Sequence, residues 1–125
     1  RPMRPNRLWF MEYRPEDHLT PNRYGIIEPS IHRRKPRPAY SLDLVLVPLV
    51  AFDATGNRIG MGGGFYDRTF SYLTFRNKWH KPRLVGVAHE LQRLNSIKKN
   101  PWDISLDAVV TERCLYSANK TGTPL

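Results

Sequence analysis

The sequence predicts an α/β fold, a three-layer, open, mostly parallel sheet with flanking helices, and three observations predict it. Leu44-Val45-Leu46-Val47 is a buried-strand run that stops at Pro48, Leu84-Val85-Gly86-Val87-Ala88 is a second such run, and Ala108-Val109-Val110 is a third. Between the first two, Phe65 to about Trp79 carries Tyr66, Phe70 and Leu73 at helical spacing. A β-α-β unit with a right-handed crossover is the economical assembly of such a series. The first strand and the helix are joined by a loop holding the glycine run Gly60-Met61-Gly62-Gly63-Gly64.

Taken in order, Arg1 to Asn6 is proline-rich and reads as an irregular lead-in. Leu8-Trp9-Phe10-Met11-Glu12-Tyr13, aromatic-rich and bounded by Pro5 and Pro15, is a strand candidate. From Arg14 to Ala39 prolines recur every few residues, with Asp17, Asn22, Gly25 and Ser30 between them. Each proline removes a donor and turns its predecessor away from helix, so long regular elements are not expected there. Tyr24-Gly25-Ile26-Ile27-Glu28-Pro29 is a compact apolar island inside that stretch. The run Arg33-Arg34-Lys35 with Arg37 reads either as a phosphate contact or as a solvated loop. Leu42 to Pro48 is apolar on both faces and is expected as a central parallel strand covered by helices on each side. Ser96 to Asp103 reads as a loop or short helix leading to the last strand. Ligands of open α/β sheets collect outside the carboxyl ends of the strands. That rule would bring the glycine run, His89-Glu90 and Thr111-Glu112 to one edge.

At 125 residues the chain suffices for a single α/β domain, 1–125, with a modest core. No apolar run approaches the ~20 residues of a membrane span and no leader pattern opens the sequence, so neither membrane nor export is expected. Cys114 is the single cysteine; an internal disulfide is excluded, and no Cys or His companions stand at zinc-site spacing. A cytoplasmic setting follows as the expectation, with Cys114 a small side chain near a strand end. The net charge of +9 points to polyanions: free nucleotides, polyglutamated metabolites or nucleic acid. Residues 1–38 hold nine of the 20 Lys/Arg and seven of the 11 prolines, and the rest carries no basic helix or aromatic-basic repeat. So diffuse an excess reads as solvated surface, which makes small molecules the expected partners rather than nucleic acid. A monomer or weak dimer is expected.

The order strand, glycine loop, helix start is the sequence form of an anion site, because glycines let backbone N–H groups approach a phosphate. The run lacks the terminal Lys-Ser/Thr of a Walker loop and fits a dinucleotide fingerprint only loosely. What distinguishes it is the whole pattern Asp53-x-x-Gly56-x-Arg58-x-Gly60-x-Gly62-Gly63-Gly64-Phe65-Tyr66-Asp67.

Over Pro48 to Arg68, PLVAFDATGNRIGMGGGFYDR, the chain resembles the signature of the 5-formyltetrahydrofolate cyclo-ligase (methenyltetrahydrofolate synthetase) family, P-x-x-x-F-D-x-x-G-x-R-[LI]-G-x-G-x-G-[FY]-Y-D. Tyr24 to Pro29, Leu42 to Val45, Val85 to Ala88 and Trp102 to Asp107 also fall where that family has them. The resemblance implies a Rossmann-like sheet of the NagB/RpiA/CoA-transferase-like kind, with this chain as the C-terminal two thirds of the domain. It implies ATP-dependent cyclisation of 5-formyltetrahydrofolate to 5,10-methenyltetrahydrofolate, with ATP as co-substrate and Mg²⁺ required. Many family members carry Arg or Lys within the glycine run, where this chain has Met61 and Gly63.

Residue roles follow from the same resemblance. Arg58, Ile59, Gly60, Met61, Gly62, Gly63, Gly64, Phe65 and Tyr66 are the expected ATP-binding residues, and Met61 to Phe65 also face the folate. Arg58 and Tyr66 are the expected catalytic residues, Arg58 as a planar fork on phosphate oxygens. A surface salt bridge is the alternative for Arg58. Asp67 and Asp103 are the expected magnesium carboxylates, with Asp107 a competitor of Asp103. Phe65 reads equally as a site wall or as core, and Asp53 as the residue that orders the loop toward Gly56. His89 and Glu90 read as acid–base or structural; His18, His32 and His80 have no partners visible in sequence. A nucleotide-binding module without catalysis and a small basic RNA-binding domain remain as alternatives, to be told apart by ATP binding without turnover and by steeply salt-dependent RNA affinity.

Overall fold

In the computed structural model, residues 7–30, 35–60, 62–75, 80–117 and 120–124 are described. Met61, His32, Arg33, Arg34 and Trp79, all named above, lie outside the described residues. The strands are β1 (Leu19–Pro21), β2 (Ile27–Pro29), β3 (Leu44–Pro48), β4 (Ala51–Phe52), β5 (Arg58–Ile59), β6 (Arg83–Val87), β7 (Ala108–Val110), β8 (Cys114–Ser117) and β9 (Lys120–Pro124). One α-helix, α1 (Phe65–Thr69), stands between β5 and β6.

The main sheet runs β3-β6-β7-β8-β9. β3, β6 and β7 are mutually parallel and are the three runs read from the sequence, while β8 pairs antiparallel with β7 and β9 antiparallel with β8. The α/β class and the open sheet with its parallel centre are as expected. Cys114 opens β8, in keeping with its expected place near a strand end.

Because side chains alternate along a strand and paired residues share a face, the register sorts the sheet into two surfaces. Val45 pairs with Leu84, and Val47, Gly86, Val109 and Tyr116 follow across the strands. Those side chains pack with Phe52, Phe70, Leu73, Ile104 and Leu106 into one buried cluster. Gly86 is required there: a Cβ would stand 2.8 Å from Leu106 and 2.9 Å from Leu49. The other surface carries Leu44, Leu46, Val87 and Leu115, which stay 55%, 60%, 48% and 39% exposed. Two expectations are corrected by this arrangement. Among the described residues β3 stands at the edge of the sheet and not at its centre, and the covering layer lies on one face only.

The long helix expected over Phe65 to Trp79 is also corrected. α1 stops at Thr69, and Ser71–Phe75 continues as a 3-10 turn. The hydroxyls explain the break, because Ser and Thr offer the backbone carbonyls an alternative to helical N–H groups. Thr69 Oγ1 donates to Phe65 O at 2.6 Å, Ser71 Oγ to Arg68 O at 3.2 Å and Thr74 Oγ1 to Ser71 O at 2.7 Å. Leu8 to Tyr13 is not a strand either; it makes a single bridge, Phe10 with Arg37, whose N–H donates to Phe10 O at 2.7 Å. Pro36 and Pro38 flank Arg37 and remove the donors a longer ladder would need.

The loops after β3, β6 and β7 meet at one edge, as the topology rule requires. Glu90 Oε1 accepts from Thr111 Oγ1 at 2.8 Å, Glu90 Oε2 accepts from Tyr116 Oη at 2.6 Å, and the Glu112 carboxylate accepts from Glu90 N. Gln92 Nε2 donates to Leu49 O and Val50 O at 3.0 and 3.1 Å. These bonds give Glu90 a structural role. Donation to a carboxylate holds the Tyr116 hydroxyl well above the ordinary phenol range, and the same bond, with that from Thr111, holds Glu90 below the ordinary carboxylate range. Tyr116→Phe is expected to cost about 1 kcal/mol, the worth of a net hydrogen bond. Thermal melting should show it as a fall of roughly 3–5 °C; an unchanged midpoint would show that the bond contributes nothing.

Candidate functional site

The glycine loop rests on the β4–β5 hairpin, and the hairpin is built on Asp53. Its Oδ1 accepts from Thr55 N at 3.0 Å, Thr55 Oγ1 at 2.7 Å and Asn57 N at 3.0 Å. Its Oδ2 accepts from Asn57 Nδ2 at 3.1 Å and Ile97 N at 3.0 Å. Gly56 completes the turn at φ +92°, where a Cβ would meet the Leu106 carbonyl oxygen at 2.4 Å. Asp53 thus orders the loop as expected, and also fastens it to the segment before β7.

From β5 the chain passes Ile59, 43% exposed, into the glycine run. Gly62 and Gly64 have φ of +92° and +68°. Gly64 caps α1 in that left-handed conformation, which side chains resist. Two arginines bracket the loop. Arg58 Nη1 lies where a Cβ on Gly60 would be 2.6 Å away, and Arg68 Nη1 donates to Gly63 O at 3.4 Å. With only five residues, α1 brings little macrodipole, so attraction for an anion rests on these guanidinium groups and the backbone.

The Arg58 guanidinium carbon stands 4.9 Å above the Tyr66 ring, and Tyr66 stacks on Phe70 with centroids 6.4 Å apart. Burial raises the Tyr66 hydroxyl above its ordinary pKa, and the Arg58 charge opposes that. Among the described residues no salt bridge involves Arg58.

Asp67 and Asp103 line one small cavity with Arg58 and Lys99. Asp67 Oδ1 accepts from Ile104 N at 3.0 Å and Asp103 Oδ2 from Asn100 N at 2.9 Å, so each carboxylate is fixed through one bond. Asp107 is turned elsewhere, with Oδ2 accepting from Leu84 N at 2.7 Å. Among the described residues no group of three or more His, Cys, Asp or Glu gathers as for a fully protein-held metal. Two carboxylates lining one small cavity are nonetheless a donor set that suits magnesium, which takes one or two of them and completes its shell with phosphate and water.

Beside the loop is a second cavity, of about 720 Å³, and Phe65 belongs to its wall. Trp9, Phe10, Tyr24, Ile26 and Glu28 line it as well. The segment from Leu8 is anchored to the end of α1, where Leu8 N donates to Thr69 Oγ1 at 2.8 Å and Phe10 packs on Phe70 at 5.9 Å. Sequence reasoning read Leu8–Tyr13 as a strand and Tyr24–Pro29 as an apolar island and missed this cleft. The available signal was the exposure such residues cannot avoid between prolines: Trp9 is 56% and Tyr24 65% exposed.

The 5-formyltetrahydrofolate cyclo-ligase family profile matches residues 1–112. This chain belongs to the 5-formyltetrahydrofolate cyclo-ligase family. It is 43% identical over 112 residues to the 5-formyltetrahydrofolate cyclo-ligase of Escherichia coli (strain K12), covering 88% of this chain and 58% of that one. To the cyclo-ligase of Haemophilus influenzae it is 40% identical over 105 residues, covering 84% and 54%. Its fold is similar to the NMR structure of Aquifex aeolicus 5,10-methenyltetrahydrofolate synthetase, with a TM-score of 0.66 and 33% identity over 90% of this chain and 52% of that one. The chain therefore spans little more than half the length of the cyclo-ligases it matches. β8 and β9 lie beyond the profile match, yet β8 pairs with β7 and sends Tyr116 into the core. Among the described residues no helix of this cyclo-ligase family member is long and apolar enough to cross a membrane.

Proposed function

We propose that this chain carries the nucleotide and folate sites of an ATP-dependent cyclo-ligase that closes 5-formyltetrahydrofolate to 5,10-methenyltetrahydrofolate, releasing ADP and phosphate. The observation that carries this reading is a single junction. Phe65 is both the first residue of the helix after the glycine loop and a wall of the aromatic cleft, so a ligand in one site abuts a ligand in the other.

The chemistry explains why two adjoining sites are needed. A formyl oxygen is a poor leaving group; it attacks the γ-phosphorus, the bond to the β–γ bridging oxygen breaks and ADP departs. N10 of the folate then adds to the activated carbon, loses its proton, and phosphate leaves with the former formyl oxygen. Little covalent work falls to the protein, so positioning and charge neutralisation dominate. Gly60, Gly62, Gly63 and Gly64 let the triphosphate approach the backbone, with Ile59 beside them. Arg58, held flat by Tyr66, pairs with oxygens of the transferred phosphoryl group. Phe65 stacks against the folate ring and excludes water from the junction. Asp67 and Asp103 would hold a magnesium ion, which neutralises the phosphate charge when bound.

The test is to mix the chain with 5-formyltetrahydrofolate, ATP and magnesium and to follow the near-ultraviolet absorbance of the methenyl product. Product that requires ATP supports the cyclo-ligase. Magnesium-dependent ATP binding by a folded chain with no product would instead leave a nucleotide-binding module.

A further inference from the structure

Charges of both signs line the small cavity at Asp67: the carboxylates of Asp67 and Asp103, and the cations of Arg58 and Lys99. Among the described residues none of the four forms an ion pair. Three of them are occupied otherwise. Asp67 accepts from Ile104 N, Asp103 accepts from Asn100 N, and Arg58 lies over the Tyr66 ring. Lys99 is exposed, and among the described residues its ammonium makes no hydrogen bond. Its backbone, by contrast, is tied on both sides. Ile97 N donates to Asp53 Oδ2 at 3.0 Å, and Asn100 N donates to Asp103 Oδ2 at 2.9 Å. Asp53 also accepts from Asn57 N, so one carboxylate joins the base of Lys99 to the hairpin that carries Arg58.

Opposite charges that share a cavity without neutralising one another suit a ligand that itself carries both signs. A polyphosphate with its divalent cation is such a ligand, since carboxylates take the cation and ammonium or guanidinium groups take the phosphate oxygens. The run Gly60 to Gly64 contains no cation, and the five-residue α1 adds little dipole. Positive charge must therefore reach the phosphates from outside the loop. Arg58 offers a planar fork, whereas Lys99 offers a compact point charge with three donors on a long stem. We propose that Lys99 is a phosphate-binding residue of the nucleotide site, its ammonium pairing with an oxygen of the ATP polyphosphate beside Asp67 and Asp103. The assignment rests on the cyclo-ligase reading above. It makes the segment before β7 a part of the nucleotide site, and it gives the bond from Ile97 N to Asp53 a second task, that of setting a cation opposite Arg58.

Calorimetric titration of the full chain with ATP and magnesium tests it, using three variants beside the wild type. Lys99→Met removes the charge and keeps an unbranched stem. Lys98→Met removes the same charge one residue away, from a side chain that does not line the cavity, and so measures the long-range share. Lys99→Arg restores a cation that can donate to phosphate. Lys99→Met is expected to bind ATP at least ~10-fold more weakly than the wild type, the scale of one hydrogen bond to a charged group. Lys98→Met is expected within about 2-fold of the wild type, because salt screens a charge that makes no contact. Lys99→Arg is expected to recover binding to within about 3-fold. Melting midpoints of the three should match the wild type, since neither lysine holds the fold. Equal ATP affinity in Lys99→Met and Lys98→Met, or no recovery in Lys99→Arg, overturns the role of Lys99 and leaves the cyclo-ligase reading standing. A folded wild type that binds no ATP overturns that reading and this assignment with it.

Discussion

Asp67→Asn is expected to lower kcat/KM for the proposed ATP-dependent cyclisation by a factor of about 10³ or more while leaving the fold intact. The substitution keeps an oxygen where Oδ1 now accepts from Ile104 N, so the link between α1 and the segment before β7 survives. What it removes is the negative charge that lines one small cavity together with Asp103. A thousandfold loss corresponds to about 4 kcal/mol of transition-state stabilisation, the scale of one strong charge contact to a metal–phosphate unit. Initial rates at several magnesium concentrations, beside a thermal melt, check both halves. Asp107→Asn is the matched comparison, since that carboxylate is turned to Leu84 N. Its expected effect is about 1 kcal/mol of stability with turnover preserved. Full activity in Asp67→Asn, or loss of activity in Asp107→Asn instead, would exchange their roles.

The largest expected loss of stability comes from Asp53→Ala. The side chain is 3% exposed and accepts five hydrogen bonds, three of them from the backbone N–H groups of Thr55, Asn57 and Ile97. Truncation strands those donors in the interior at roughly 1–3 kcal/mol each, partly relieved by water. A total of about 3–5 kcal/mol follows, read as a fall of ~10 °C or more in the melting midpoint. The same bonds set a pH signature. Burial raises the Asp53 pKa, but the bonds from Thr55, Asn57 and Ile97 outweigh it and leave the group below its ordinary value of 3.8. The unfolded chain therefore takes up this proton at a higher pH than the folded one. Its contribution is complete above the ordinary carboxylate value and disappears as pH falls through the lowered one. Melts between pH 3 and pH 7 should show the wild type losing stability at the acid end and Asp53→Ala losing less; parallel curves would show that Asp53 is not the group responsible.

How much of this was legible depended on where the information lies along the chain. Leu44–Pro48, Arg83–Val87 and Ala108–Val110 announce themselves as strands because aliphatic and β-branched runs bounded by proline or polar residues have few other uses. The turn at Asp53 and Gly56 and the glycine run were likewise readable, from local backbone chemistry. Other features depend on distant partners. An apolar run such as Leu44-Val45-Leu46-Val47 looks the same whether one of its faces is covered or both, so the edge position of β3 left no local trace. The stop at Thr69 turned on hydroxyls choosing carbonyls, which helical spacing does not register. The cleft of Trp9, Tyr24 and Glu28 draws its walls from segments joined by bonds such as Leu8 N to Thr69 Oγ1, sixty-one positions apart.

The outer margin of β3 has a consequence for handling the protein. An edge strand offers a row of backbone donors and acceptors to any extended segment, and proteins usually blunt such margins with lysine, proline or a bulge. Here only Pro48, at the strand's end, serves that purpose, while Leu44 and Leu46 add sticky area beside it. Against that margin acts the mutual repulsion of molecules carrying +9 each. That barrier reaches only ~10 Å at 0.1 M salt and about 3 Å at 1 M, while the adhesive margin is not weakened by such screening. Raising the ionic strength is therefore expected to favour self-association of the chain, and dilute buffer to keep it dispersed.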